Sequence, residues 1–131
     1  MVDVVGIETP TLGDRSYLAH DGNVGLVVDP QRDIDRITAL AAALGVRITH
    51  VAETHVHNDY VSGGLALSRA CGARYLVGAA EPAGFARTPV SDGELIDVRF
   101  CLTRDLKAFS TCPKVSGHTC QRSSVVVPPL R

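Results

Sequence analysis

Residues 53–64 read ETHVHNDYVSGG, with His55, His57 and Asp59 at alternate positions, then Tyr60 and the pair Gly63-Gly64. Only five histidines occur in the 131 residues, so two of them within three positions calls for a reason. In an extended segment, side chains repeat their direction every second residue. His55, His57 and Asp59 would then project one way, and Val56, Asn58 and Tyr60 the other. Two neutral imidazoles and a carboxylate are a donor set for a divalent transition metal, zinc or iron. The glycine pair lets the backbone turn away and leave such a site open. Neighbouring histidines can also be plain surface residues or hydrogen-bonded core residues. The pattern His-x-His-x-Asp, set between an apolar run and a Gly-Gly turn, favours the metal. Tyr60 adds little to it, because a phenol with a pKa of about 10 is a poor ligand at neutral pH. A buried aromatic is the other reading of that residue.

The elements around this stretch must carry it. Val2 to Ile7 is a short apolar run suited to a strand. Ser16–His20 and Val24–Val28 read as two strands joined by a tight turn at Asp21-Gly22-Asn23, and Asp29-Pro30 ends the second. Ile34, Ile37, Leu40, Ala41 and Leu44 recur at helical spacing, with Asp33 and Asp35 at the positive end and Gly45 as terminator. Val46 to Thr54 is then a buried strand with the histidine motif at its carboxyl end. Ser62 to Ala70 reads as a second helix, with Ser62 as N-cap and Gly72 as stop, followed by a strand over Arg74–Val77. Val90 to Val98 adds a turn and a strand. Alternating strands and helices specify an α/β layered domain, whose sites lie at the carboxyl ends of strands.

Composition narrows the class. Hydrophobic residues make up 45% and charged residues 21%, as in an ordinary globular domain. No apolar run reaches the ~20 residues of a membrane helix. The first ten residues carry two acids and no base, unlike a secretory signal. Four cysteines without Cys-x-x-Cys spacing argue against a disulfide framework or a zinc ribbon. The expectation is a cytoplasmic protein with neither nucleic acid nor membrane as partner. The net charge of −1 conceals a seam, however. Residues 1–97 hold 7 arginines, no lysine and 13 acids, whereas residues 98–131 hold 6 bases and the single acid Asp105. Periodicity also fades after Val98, so the reading divides the chain into a domain over 1–97 and a divergent tail over 98–131, frameshifted or loosely ordered.

THVHNDYVSGG resembles the His-x-His-x-Asp-His signature of the metallo-β-lactamase superfamily. The order of VGLVVDP, a helix, and ITHVAETHVHNDYVSGG is most similar to its glyoxalase II and persulfide dioxygenase branch, often linked to rhodanese domains. The resemblance covers residues 3 to 98 and implies the N-terminal half of an αββα sandwich with an atypical C-terminal tail. It implies that His55 is a metal ligand, that His57 is a ligand or a close neighbour of the metal, and that Asp59 serves a second metal site or, where one metal binds, orients the bound water as a catalytic group. Asp29 would brace the metal loop, although an Asp before Pro also serves simply to end a strand. Tyr60 stands where many members place a second-site histidine, so one metal is expected, Fe(II) ahead of Zn(II). The family's third histidine lies in a Pro-Gly-His-Thr turn. The nearest counterpart here is His118 in SGHT, 63 residues after His55 and in surroundings that do not otherwise match. The activity implied is a mononuclear iron persulfide dioxygenase acting on glutathione persulfide, with a rhodanese as partner. The alternatives are a zinc hydrolase of acyl-glutathione thioesters, of the glyoxalase II type, and a truncated, inactive remnant.

Overall fold

The computed structural model describes residues 1–9, 15–56, 61–98 and 124–126. Three strands, β1 (Asp3–Glu8), β2 (Arg15–His20) and β3 (Val24–Val28), pair antiparallel in succession. The β2–β3 turn forms as its residues require. The Asp21 side chain accepts the backbone N–H groups of Asn23 and Val24, both at 3.2 Å, and Gly22 takes a φ of 94° that a side chain would resist.

From β3 onward the pairing is parallel. Helix α1 (Ile34–Ala43) crosses to β4 (Arg47–Ala52), and α2 (Gly64–Cys71) crosses from β4 to β5 (Arg74–Gly78). β6 (Thr88–Val90) closes a six-stranded sheet ordered β1-β2-β3-β4-β5-β6. The short strands β7 (Leu95–Asp97) and β8 (Ser124–Val126) pair antiparallel as a separate two-stranded sheet. The expected α/β order is therefore present. The stretch read as one turn and strand over 90–98 is divided between β6, a turn at Ser91–Glu94, and β7. The division at residue 97 ends β7, whose partner β8 comes from the segment read as the tail; the rest of 99–131 lies outside the described residues.

Both helices pack on one face of the sheet. Ile37 and Ala41 of α1 and Leu67 of α2 join Leu18, Val27, Ile48, Val51 and Val77 in one buried cluster. Each such valine, leucine or isoleucine contributes roughly 1.5–3 kcal/mol on leaving water. Val24, Leu26, Leu76, Val90, Ile96 and Val98 form a second cluster on the opposite face. Burial on both faces explains why β3 and β5 read as nearly unbroken apolar runs rather than alternating ones.

The sheet's register brings the carboxyl ends of β3, β4 and β5 together. Backbone bonds continue past each strand: Asp29 donates to Ala52 at 2.9 Å, Glu53 to Leu76 at 3.1 Å, and Ala79 to Val90 at 2.8 Å. Two boundaries differ from expectation. β4 stops at Ala52 rather than Thr54, because a side chain takes up the next backbone donor, as described below. Helix α2 begins at Gly64, with Gly63 at its cap position, rather than at Ser62. Ser62 still serves the helix end, since its hydroxyl oxygen accepts the Gly64 N–H at 2.9 Å.

Candidate metal centre

His55 lies three residues beyond the end of β4, exposed, at a bend formed with Thr54. Because the strand has ended, the every-second-residue projection expected of the motif is not imposed here by a β-ladder. Hydrogen bonds from Asp29 position the residue instead. The carboxylate of Asp29 accepts the Thr54 N–H at 2.7 Å and the Thr54 hydroxyl at 2.6 Å. Asp29 holds a φ of 49°, the only positive value at a non-glycine among the described residues. Aspartate tolerates this left-handed conformation better than most residues, and here it turns the carboxylate off the end of β3 towards the neighbouring strand. Asp29 therefore braces the loop, as well as ending its strand.

The chain continues into the imidazole. Thr54 Oγ1 lies 2.9 Å from His55 Nδ1. The threonine hydroxyl has one proton, and the carboxylate can only accept it, so Nδ1–H must donate to the threonine oxygen. In the neutral ring the lone pair then resides on Nε2. That tautomer suits ligation through Nε2, with the other nitrogen held by a hydrogen-bonded group. Among the described residues no group of three or more His, Cys, Asp or Glu side chains converges to hold a metal ion, and His55 is the residue at this end of the sheet whose tautomer suits one. Of the four expected ligands, His55 is the one whose position is described; His57, Asp59 and His118, together with Tyr60, lie outside the described residues.

A second polar group lies beneath the loop, and the sequence reading gave it no role. Glu53 is 6% exposed, and its Oε1 accepts the Ser62 hydroxyl and the Tyr75 hydroxyl, the latter at 3.1 Å. Burial is the main cause that pushes its carboxyl up to about 7, against the lowering effect of the Ser62 and Tyr75 bonds, and Asp29 adds to the rise. Burial likewise raises the Tyr75 phenol, with the Glu53 charge as a further cause. The signal available in the sequence was an acid directly after the apolar pair Val51-Ala52 and next to the motif. The close packing also accounts for the glycine pair. A Cβ on Gly64 would stand 2.1 Å from Glu53 Oε1, and one on Gly63 would stand 2.0 Å from the Gln31 carbonyl oxygen. The glycines admit α2 against the site as well as turning the chain.

A cleft of about 240 Å3 lies at the opposite end of β4, between α1 and Cys71, and no residue of the candidate centre lines it.

No family model matches the chain. A hydroxyacylglutathione hydrolase of Anaeromyxobacter dehalogenans (strain 2CP-C) is 44% identical over 61 residues, which are 47% of this chain and 24% of the relative. Among solved structures, a metallo-beta-lactamase from Staphylococcus aureus subsp. aureus COL superposes with a TM-score of 0.66 at 25% identity, over 72% of this chain and 31% of that one. ETHE1 from Myxococcus xanthus superposes with a TM-score of 0.64 at 26% identity, over 72% of this chain and 43% of that one. The chain spans about a quarter of the length of the curated relative it matches.

Proposed function

Because the chain belongs to the metallo-β-lactamase superfamily and spans part of its relatives' length, we propose that it is a metal-dependent domain of the persulfide dioxygenase type, acting on a small thiol-derived substrate. One observation carries the metal assignment: the Asp29–Thr54–His55 chain, which presets an imidazole tautomer suited to ligation through Nε2. His57 and Asp59 would complete two histidines and a carboxylate around one ion, with His118 as a further candidate. Iron(II) held in this way supplies the open positions and electron-transfer chemistry needed for dioxygen to oxidise a persulfide. For glutathione persulfide, dioxygen and water, the balanced products are sulfite and glutathione. The chain's own contribution is to orient the ligands: Asp29 holds Thr54, Thr54 holds His55, and Gly63-Gly64 turns the backbone clear.

Tyr60 favours iron and a single ion, since it replaces a nitrogen donor with a phenol. The 44% identity to a hydroxyacylglutathione hydrolase supports a second reading, in which the same residues would hold zinc and the ion would supply Lewis-acid chemistry for hydrolysis of an acyl-glutathione thioester. The test is a chain completed with a family second half and assayed for oxygen uptake with glutathione persulfide and for acyl-glutathione hydrolysis. The proposal expects oxygen uptake, one iron per chain, and a gain of zinc towards two per chain in Tyr60→His. Thioester hydrolysis with two zinc ions in the unaltered sequence would replace it with the hydrolase.

A further inference from the structure

Ser16 is the first buried residue of β2 and is 0% exposed, yet it carries a hydroxyl. The β2–β3 ladder pairs Tyr17 with Val28, so the next position sets Ser16 opposite Asp29. The ladder stops there, where Asp29 turns into the left-handed region at a φ of 49°. The Ser16 side chain supplies a bond in place of the ladder, its hydroxyl donating to the Asp29 carbonyl at 2.7 Å. The other polar atoms of Asp29 are held as well. Its N–H donates to Ala52 at 2.9 Å, and its carboxylate oxygens accept the Thr54 N–H and hydroxyl. Burying a hydroxyl is unfavourable unless it is bonded. The bond of this one goes to the residue on which the His55 hydrogen-bond chain begins.

We infer that Ser16 is a positioning residue for the His55 imidazole: its buried hydroxyl holds the Asp29 turn, and so keeps the carboxylate on Thr54 and the ring proton on Nδ1. The inference rests on the reading of His55 as the functional imidazole, but it concerns the resting, metal-free side chain. A left-handed aspartate persists only while surrounding contacts over-determine it. Without the Ser16 donor, the Asp29 carbonyl loses its buried partner, and the backbone can relax towards ordinary φ values at the expense of the carboxylate's aim. Once the carboxylate leaves Thr54, the threonine hydroxyl is free to donate its single proton to His55 Nδ1. The neutral ring must then carry its own proton on Nε2. Ser16 thus acts on the ring through Asp29 and Thr54 in turn.

Long-range proton–nitrogen correlation NMR of the imidazole rings reads the tautomer in the metal-free full chain, at a pH of about 8.5, roughly two units above the ordinary histidine pKa. The His55 signals are identified by their loss in His55→Ala. The unaltered chain is expected to show a protonated Nδ1 and an unprotonated Nε2. Asp29→Asn supplies the reversed signature: its amide nitrogen donates to the threonine oxygen, the hydroxyl proton turns to Nδ1, and the ring proton moves to Nε2. Ser16→Ala is expected to lose the Nδ1–H majority and shift towards that reversed signature. Ser16→Cys keeps the shape with a weaker donor and should fall between the two; it stands in for Ser16→Ala should that variant not fold. Leu18→Val, altered at another fully buried position of β2, should keep the unaltered signature. An unchanged tautomer in Ser16→Ala, or in Ser16→Cys where only that variant folds, overturns the role of Ser16 and leaves the reading of His55 standing. An equal shift in Leu18→Val overturns it too, since any loosening of β2 would then suffice. A proton on Nε2 in the unaltered chain removes the hydrogen-bond chain itself, and with it the observation that carries the metal assignment.

Discussion

Asp29 and Thr54 are joined twice, the carboxylate of one accepting the N–H of the other at 2.7 Å and its hydroxyl at 2.6 Å. The joint links the ends of two parallel strands at the point where the chain leaves the sheet for its histidines. It also explains why Asp29 holds a φ of 49°. Backbone strain of this kind persists where surrounding contacts over-determine it, and these contacts lie beside His55.

Removing the joint should therefore show in stability as well as metal binding. Asp29→Ala loses both hydrogen bonds and keeps the unfavourable φ, and should cost about 3 kcal/mol in urea unfolding of the metal-free chain. Asp29→Gly loses the same bonds but accepts the φ freely, and should be milder by about 1 kcal/mol. Equal losses would show that no strain resides at position 29. No loss in either would refute the joint.

The glycines offer a contrast between space and conformation. Gly63→Ala must displace the Gln31 carbonyl, 2.0 Å from the new Cβ, and backbone there cannot swing aside. Gly45, by contrast, has open space around it and only its φ of 68° to object to a side chain. Gly45→Ala is expected to cost about 1 kcal/mol, and Gly63→Ala at least about 3 kcal/mol, at the upper end of overpacking penalties. Chemical denaturation compares the two directly, and an order reversed between them would contradict the packing described at the loop base.

Much of this was legible in the sequence because the signals were local. The helical spacing of Ile34, Ile37 and Ala41, the Asp-Gly turn before Val24, and the clustered histidines each depend on near neighbours. The missing parts depend on residues far apart in sequence. Thr54 leaves the strand because Asp29 takes its N–H, across a separation of 25 residues, and Glu53 gains its meaning from Ser62 and Tyr75. An aspartate before proline and a glutamate before threonine look ordinary until the parallel register places them side by side. Ser62 was legible as a helix-end residue, but its second bond, to Glu53, was not.

Acid sensitivity should trace in part to His50 in β4. It is 6% exposed, its Nε2 has no hydrogen-bond partner among the described residues, and burial followed by the Arg74 charge lowers its pKa below 6.5, while the Asp97 charge works the other way. The unfolded chain then takes up a proton that the folded chain resists, so this contribution is present above about 6.5 and is lost as pH falls below it. Glu53 works in the opposite sense: its raised carboxyl favours the fold below 4.5, and that contribution is lost as pH rises through about 7. The difference in unfolding free energy between the unaltered chain and His50→Gln isolates the first effect. It should shift in favour of His50→Gln as pH falls from 7.5 to 5; a pH-independent difference would contradict the buried neutral imidazole.

The claim on which the rest depends is that His55 belongs to a metal centre. Its most direct measurement is cobalt(II) titration of the metal-free chain, followed by visible absorption, with His55→Ala and His57→Ala alongside. The unaltered chain should develop ligand-field bands that saturate near one equivalent and disappear on adding a chelator, and neither variant should develop them. Identical spectra from the unaltered chain and His55→Ala would contradict the assignment.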